Sequence, residues 1–373
     1  MKLVSVIGAR PQFVKVWAVA RALHDYVDEV GRADLAHKIV HTGQHFEEAM
    51  SGSFFREFKL SEPDYNLGIS GGSQASMVGR MVTALEEILL REKPDAVIVY
   101  GDTNSTLAGS IAAACLGIDI AHVESGLRSG DPRQPEEINR VTSDRLSRIL
   151  FCPIEEAAEL LRNEGIVDGV HLVGDVMVDS WCSFVEQRDE AFVQGLDMGP
   201  EFCLATFHRA ENTNDLGRLA GILESLERLV AGGRPVVFPV HPRVRNLLAE
   251  GKVPAPAGVK MIEPVGYARI LALQNAASLV LTDSGGIQKE SYLFKTPCIT
   301  VRDRTEWTPT LRGGCNRLVG ADAEKIVAAS EEIRENPPRN WNRELFGDGH
   351  AGDRIAGILW QSYSPSTLEV RLQ

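Results

Sequence analysis

The 373-residue chain has no Cys-x-x-Cys pair among its six cysteines, at 115, 152, 182, 203, 298 and 315. That spacing supplies neither a zinc ribbon nor a dithiol redox centre. Most of these cysteines lie in or beside apolar runs, as small buried hydrophobes do. A basic excess is also missing: 39 Lys and Arg stand against 51 Asp and Glu, a net charge of -12, which argues against a nucleic-acid binder. No apolar run approaches the ~20 residues of a membrane-spanning helix. The opening MKLVSVIGAR is interrupted too soon by Gly8 to be a secretory signal. A soluble, cytoplasmic protein is expected. The chain has no G-x-x-x-x-G-K-[S/T] phosphate loop, no G-x-G-x-x-G dinucleotide fingerprint and no H-E-x-x-H. His41 and His45 in HTGQH are four apart and His122 is two before Glu124, but the other histidines do not gather. No metal is expected.

What is there is alternation. Short β-branched runs, KLVSVIG (2–8), DAVIVYG (95–101), IDIAHVE (118–124), RILFCP (148–153) and HLVGD (171–175), are separated by helical patterns. The rhythm restarts with EFCLATF (201–207), RPVVFPV (234–240), ASLVLTD (277–283) and PCITVRD (297–303). Near-continuous apolar strands are those of parallel sheets covered by helices on both faces. The expected class is α/β, with two doubly wound parallel-sheet domains of Rossmann-like kind. The first spans residues 1–175 and the second 176–354, with a last helix over 355–373 returning to the first.

Open parallel sheets bind ligands at the carboxyl ends of their strands. Polar groups recur there: Gly8-Ala9-Arg10-Pro11, Gly101-Asp102, Glu124-Ser125, His208-Arg209, His241-Pro242 and Asp283-Ser284-Gly285-Gly286. Arg10, Lys15 one turn on and a helix start opened by Pro11 offer cations and a positive dipole end to a phosphate. Ser284 with the amides of Gly285 and Gly286 at a helix start suits a diphosphate, and Glu290 two turns on could accept from ribose hydroxyls. Either stretch could also be an ordinary strand–helix turn. Asp102 and Glu124 each close a strand, and Glu136-Glu137 begin a helical run. One of that pair is expected to face solvent, where acids simply complement the helix dipole. Three acids with nearby arginines resemble acid/base equipment. His208 and His241, next to arginines, are read as phosphate donors.

GARPQFVK, HTGQH, GDTNSTLAG, HVESGLR, PEEINR, FHRAEN, PVHPR, LTDSGGIQKE and GDGHAGDRI occur in this order along essentially the whole chain. Together they resemble the non-hydrolysing UDP-N-acetylglucosamine 2-epimerases. That resemblance implies two Rossmann-like domains facing a cleft in the glycosyltransferase-B arrangement, usually a homodimer, with no nicotinamide and no metal. It implies elimination of UDP to a 2-acetamidoglucal and re-addition with inverted C2. Carried over, Asp102, Glu124 and Glu136 are the acid/base candidates, with His208 beside them. His208 and Arg10 hold the diphosphate, Ser284, Gly285 and Gly286 complete its cradle, and His241 is a further nucleotide contact. Glu290 takes the ribose and the backbone near Tyr267 the uracil. A second, allosteric UDP-GlcNAc would fall to Gln44, His45 and Arg80.

The stretch RDRTEWTPTLRGGCNRLVG (302–320) departs from the commoner form RDTTERPE. R-D-x-T-E-W is more similar to a subgroup acting on UDP-2,3-diacetamido-2,3-dideoxy-glucuronate, in surface polysaccharide synthesis. Motifs touching UDP do not separate the two substrates. A glycosyltransferase of the same architecture, a hydrolysing relative and a non-catalytic nucleotide-sugar sensor stay open beside them.

Overall fold

The computed structural model describes residues 1–30, 35–44, 58, 62–342 and 344–364. Two compact units emerge, Met1–Ser183 with the segment beginning at Glu344, and Phe184–Arg343.

The first unit is built on a parallel sheet of seven strands: β1 (Lys2–Ile7), β2 (Ala36–His41), β3 (Tyr65–Asn66), β4 (Ala96–Tyr100), β5 (Asp119–Val123), β6 (Ile149–Cys152) and β7 (Val170–Leu172), in the order β3-β2-β1-β4-β5-β6-β7. β1, buried but for Lys2, and the fully buried β4 lie side by side where the order reverses, so the turns after them open at one point of the sheet edge. The helix Asn104–Cys115 explains its own composition. It is buried on nearly all sides, and Gly109 sits so close to the sheet that a Cβ would come 3.1 Å from Val99 and 3.2 Å from Val6. Only small residues fit between the sheet and the helix Gln74–Glu92 packed on its other side.

The second unit has a parallel sheet of six strands: β8 (Cys203–Thr206), β9 (Val236–Pro239), β10 (Lys260–Ile262), β11 (Leu279–Thr282), β12 (Cys298–Thr300) and β13 (Asn316–Leu318), ordered β10-β9-β8-β11-β12-β13. Its core joins the inward faces of these strands to Leu219, Ile222, Leu223 and Leu226 of the helix Leu216–Ala231 and Ile326 and Ile333 of the helix Ala323–Glu335. The strands that periodicity missed, β2, β3, β10 and β13, lie towards the sheet edges. There one side of the ladder or one face is exposed, and the apolar run is short or mixed with Lys and His.

The helix Val176–Phe184, placed by the sequence in the second domain, is held in the first unit. Ser180 Oγ donates to the Val14 carbonyl at 2.8 Å. Asp179 accepts from the amides of Gly352 at 2.7 Å and Ala351 at 3.2 Å, which open the helix Ala351–Tyr363. That last helix packs on Arg10–Val30, with Gly352 too near the Ala18 carbonyl to admit a Cβ (2.9 Å). Among the described residues, no helix is long and apolar enough to cross a membrane.

Candidate active site

In the first unit, Asp102 follows β4 and Glu124 follows β5. Both strands stop because the chain must turn: Gly101 has φ +61° and Glu124 φ +68°. A non-glycine residue in the left-handed region is strained, and such strain gathers at functional sites. The Glu124 carboxylate is ion-paired with the Lys15 ammonium, and both side chains are nearly buried. A Cβ on Gly101 would stand 2.9 Å from Lys15 Nζ and 3.1 Å from Glu124 Oε1, so only glycine leaves room for the pair. Asp102 is ion-paired through Oδ2 with Arg140 Nη2, and its backbone carbonyl accepts from Asn139 Nδ2 at 2.9 Å. Its side chain keeps 27% exposure, against 4% for the arginine.

Arg140 belongs to the helix Pro135–Leu146, which turns charge inward: Glu137, Asn139, Arg140, Ser143 and Asp144 are its buried residues. Glu137 is a structural anchor. It accepts from the Ser129 amide (2.9 Å), Ser129 Oγ (3.0 Å), the Gly130 amide (3.1 Å) and Arg140 Nη1 (2.8 Å). Glu136, its neighbour, is half-buried. The less buried partner in this pair is thus Glu136, the same carboxylate that the sequence put forward for chemistry.

In the second unit, the turn after β8 is tied to the turn after β11. Asp283 is fully buried and gathers the amides of His208 (3.1 Å) and Arg209 (3.0 Å) and the Asn212 amide group (3.1 Å). The strand therefore ends in Asp283 to organise a neighbouring loop, and in Ser284 to cap the helix Gly285–Phe294, its hydroxyl facing the Ile287 amide at 3.5 Å. Gly285 and Gly286 are the first helical residues, whose N–H groups have no partner within the helix. A Cβ on Gly285 would meet Glu306 Oε1 and Trp307 Nε1, both at 2.9 Å. Glu306 accepts from Arg302 Nη1 at 2.9 Å and lies 3.7 Å from Arg209 Nη2, while Lys289 sits 3.9 Å from the Trp307 ring centre. His241 caps the helix Pro242–Ala249, its Nδ1 accepting from the Arg243 amide at 3.3 Å, which assigns its proton to Nε2. Its ring lies 5.8 Å from that of His208. Cations and donors thus collect at the ends of β8, β9, β11 and β12, the equipment for an anionic ligand.

The family model for UDP-N-acetylglucosamine 2-epimerase matches residues 29–360. The chain belongs to the UDP-N-acetylglucosamine 2-epimerase family. Curated relatives span it nearly end to end. One from Pseudomonas aeruginosa, named UDP-2,3-diacetamido-2,3-dideoxy-D-glucuronate 2-epimerase, is 44% identical, covering 96% of this chain and 99% of its own. One from Methanocaldococcus jannaschii, named UDP-N-acetylglucosamine 2-epimerase, is 41% identical with the same coverage. The crystal structure of the Methanocaldococcus jannaschii enzyme with UDP-GlcNAc and UDP superimposes with a TM-score of 0.88, at 41% identity, over 96% of this chain and 99% of that one. The family is one of isomerases, and two Rossmann-like parallel-sheet domains are its fold.

Within this 2-epimerase framework several sequence expectations meet a different local partner. Lys15, expected on a phosphate, sits on Glu124. The Gly8 and Ala9 amides both donate to Gln12 Oε1, at 2.8 and 3.0 Å, and Gly8 is glycine because a Cβ would strike Thr42 Oγ1 and Ser105 Oγ. Arg10 opens its helix, and its side chain lies outside the described part. Glu290 is buried, accepting from Tyr267 Oη at 2.9 Å and Gln274 Nε2 at 2.7 Å. Tyr267 is the first residue of the helix Tyr267–Ala276 and is itself buried. Gln44 accepts from Ser105 Oγ at 2.9 Å, and Arg80 donates to the Ser70 and Gly71 carbonyls at 3.0 and 2.6 Å. His45 lies outside the described residues. Sequence reasoning missed Gln12, Lys289, Trp307 and the roles of Arg140 and Asp283. For Arg140 the signal was the spacing Glu137, Arg140, Asp144, a charged stripe at helical period. Gln12, Lys289 and Trp307 fall inside the motifs GARPQFVK, LTDSGGIQKE and R-D-x-T-E-W, but motif membership does not name the side chains they meet.

Proposed function

We propose that this chain interconverts UDP-N-acetylglucosamine and UDP-N-acetylmannosamine by eliminating and re-adding UDP. The C2 proton of the sugar is not next to a carbonyl and is poorly acidic. Breaking the C1–O bond as the C2–H bond breaks places a C1=C2 double bond in a 2-acetamidoglucal and the bonding electrons on departing UDP. Returning the proton to the other face of C2 and the UDP oxygen to C1 completes the inversion. Each step is redox-neutral at carbon, so the route calls for no nicotinamide.

In this reading the second unit carries the nucleotide, with His208, His241, Ser284, Gly285 and Gly286 at the diphosphate. Stabilising the charge on leaving UDP is the largest electrostatic demand. Asp102, Glu124 and Glu136 carry the proton transfers, with Lys15 and Arg140 orienting the first two. Tyr267 and Glu290, joined by their hydrogen bond, shape the nucleoside side; the ribose then meets a carboxylate already engaged. The reading includes a homodimer, checked by light scattering, and a second UDP-sugar near Gln44 and Arg80, checked by sigmoidal kinetics.

The observation that carries the proposal is the pair of strand-end carboxylates, Asp102 and Glu124, each ion-paired with a buried cation in a chain of this family. Incubation with UDP-GlcNAc in D2O tests it. Deuterium at C2 with UDP-ManNAc appearing supports it, whereas UDP with free sugar would show a hydrolase instead. A second reading has its own support: Trp307, where the commoner family sequence has arginine, and a 44% identical relative named for the diacetamido-glucuronate. Turnover of that UDP-sugar and not of UDP-GlcNAc, under identical conditions, would decide for it.

A further inference from the structure

Beneath Asp102 and Glu124 runs a buried ionic chain that the reaction as described does not use. His122, the penultimate residue of β5, is 0% exposed. Its Nε2 lies 2.7 Å from the Gly101 carbonyl oxygen and its Nδ1 2.7 Å from Asp144 Oδ1. A carbonyl can only accept, so Nε2 donates. Asp144 is also an acceptor, from Arg128 Nη1 at 2.7 Å and the Gly126 amide at 3.2 Å. Burial opposes its ionisation, but the His122 ring and the Arg128 guanidinium together hold its carboxyl below the ordinary range. Both ring nitrogens thus have an acceptor oxygen at 2.7 Å. Arg128 continues the chain to both oxygens of Glu164, at 2.9 and 2.8 Å.

A buried ion pair of this kind is a weak source of stability, since apolar residues of equal volume would often serve as well. Its geometric consequence is specific. The atom at its end is the carbonyl of Gly101, whose α-carbon faces Lys15 Nζ and Glu124 Oε1 and whose next residue is Asp102. One peptide orientation therefore sets where Asp102 leaves its strand and what the Lys15–Glu124 pair rests against. We propose that His122 is a positioning residue for the epimerisation, fixing the Gly101 peptide through Nε2 so that both carboxylates are held in place. The role rests on the function proposed above. The competing view is that the ring only fills space between β4 and β5.

Two substitutions separate these. In His122→Gln the side-chain amide reaches where Nε2 stood and can still donate to Gly101. In His122→Asn it reaches only where Nδ1 stood. Misplacing a reacting group by about 1 Å costs roughly 100-fold. The expected result is kcat lowered about 100-fold in His122→Asn but less than about 10-fold in His122→Gln, with UDP affinity by calorimetry within about 3-fold of wild type in both. Equal kcat in the two variants, or UDP affinity falling in step with kcat, would overturn the proposal. A second measurement needs no activity: in wild-type protein with 15N-labelled histidine, the His122 ring should show a proton on Nε2. A ring with an unprotonated Nε2 would break the link to Gly101. Absence of C2 exchange in the wild type on either UDP-sugar would count against the function, while the ring spectrum still decides whether His122 holds Gly101.

Discussion

Lys15 shows how a residue's meaning depends on which side chain meets it. As a cation one turn into a helix that follows a strand it reads as a phosphate ligand, yet its ammonium is ion-paired with Glu124. Lys15→Met should therefore lower turnover far more than UDP affinity; calorimetry showing a matching loss of UDP binding would return Lys15 to the phosphate. Asp102→Asn and Glu124→Gln should each lower C2 exchange by about 100-fold to 10,000-fold, the usual worth of a proton-transfer group. UDP binding should persist in both, and normal exchange in either would remove that residue from the mechanism. Gly101→Ala combines a left-handed backbone with a Cβ set against Lys15 and Glu124. It should abolish exchange while the sheet still forms, which far-UV dichroism alongside NMR can establish.

At the scale of elements, the helix Pro135–Leu146 inverts the usual rule by burying Glu137, Arg140 and Asp144 and exposing Ile138 and Leu146. Buried charges persist where each has a partner, and here each does. The helix Ala351–Tyr363 is fastened through Asp179, whose oxygens accept from the Gly352 and Ala351 amides. Burial outweighs those two amides and pushes the Asp179 carboxyl up to about 6, from an ordinary 3.8. A group raised on folding contributes its stabilisation below the unfolded value and loses it as pH rises through the folded one. The destabilisation caused by Asp179→Ala should thus be larger at pH 5 than at pH 7.5. Urea melts of both proteins at the two pH values check this, and an effect that grows with pH would contradict the assignment.

For the whole molecule, the proposed function assigns nucleotide binding to the second unit and proton transfer to the first. A ligand that binds only the folded state adds about 2.7 kcal/mol at 100 times its Kd. UDP should raise the melting temperature of wild type and of Asp102→Asn alike. The shift should shrink in Asp283→Ala, where the amides of His208 and Arg209 lose their common acceptor. A full shift in that variant would place the diphosphate elsewhere. Most of the nine strands expected from apolar runs are buried on both faces, which leaves a continuous signature; β7, at an edge and partly exposed, was legible all the same. β2, β3, β10 and β13 were not, since their apolar runs are short or broken by polar residues. Asp102, Glu124 and Ser284 were legible as polar groups at strand ends. The pairing of Arg140 with Asp102 and of Gln12 with the Tyr100 carbonyl was not, because each closes across tens of residues.

The order of strands and helices, and the polar residues that end the strands, follow from local pattern, because a parallel strand and the turn after it are specified by neighbours in the chain. Which carboxylate meets which cation does not. Lys15 reaches Glu124 and Arg140 reaches Asp102 only when the sheet brings β1, β4 and β5 side by side with the 135–146 helix beneath their ends. Pairing of charges is a property of distance in space, and only the folded sheet sets that distance.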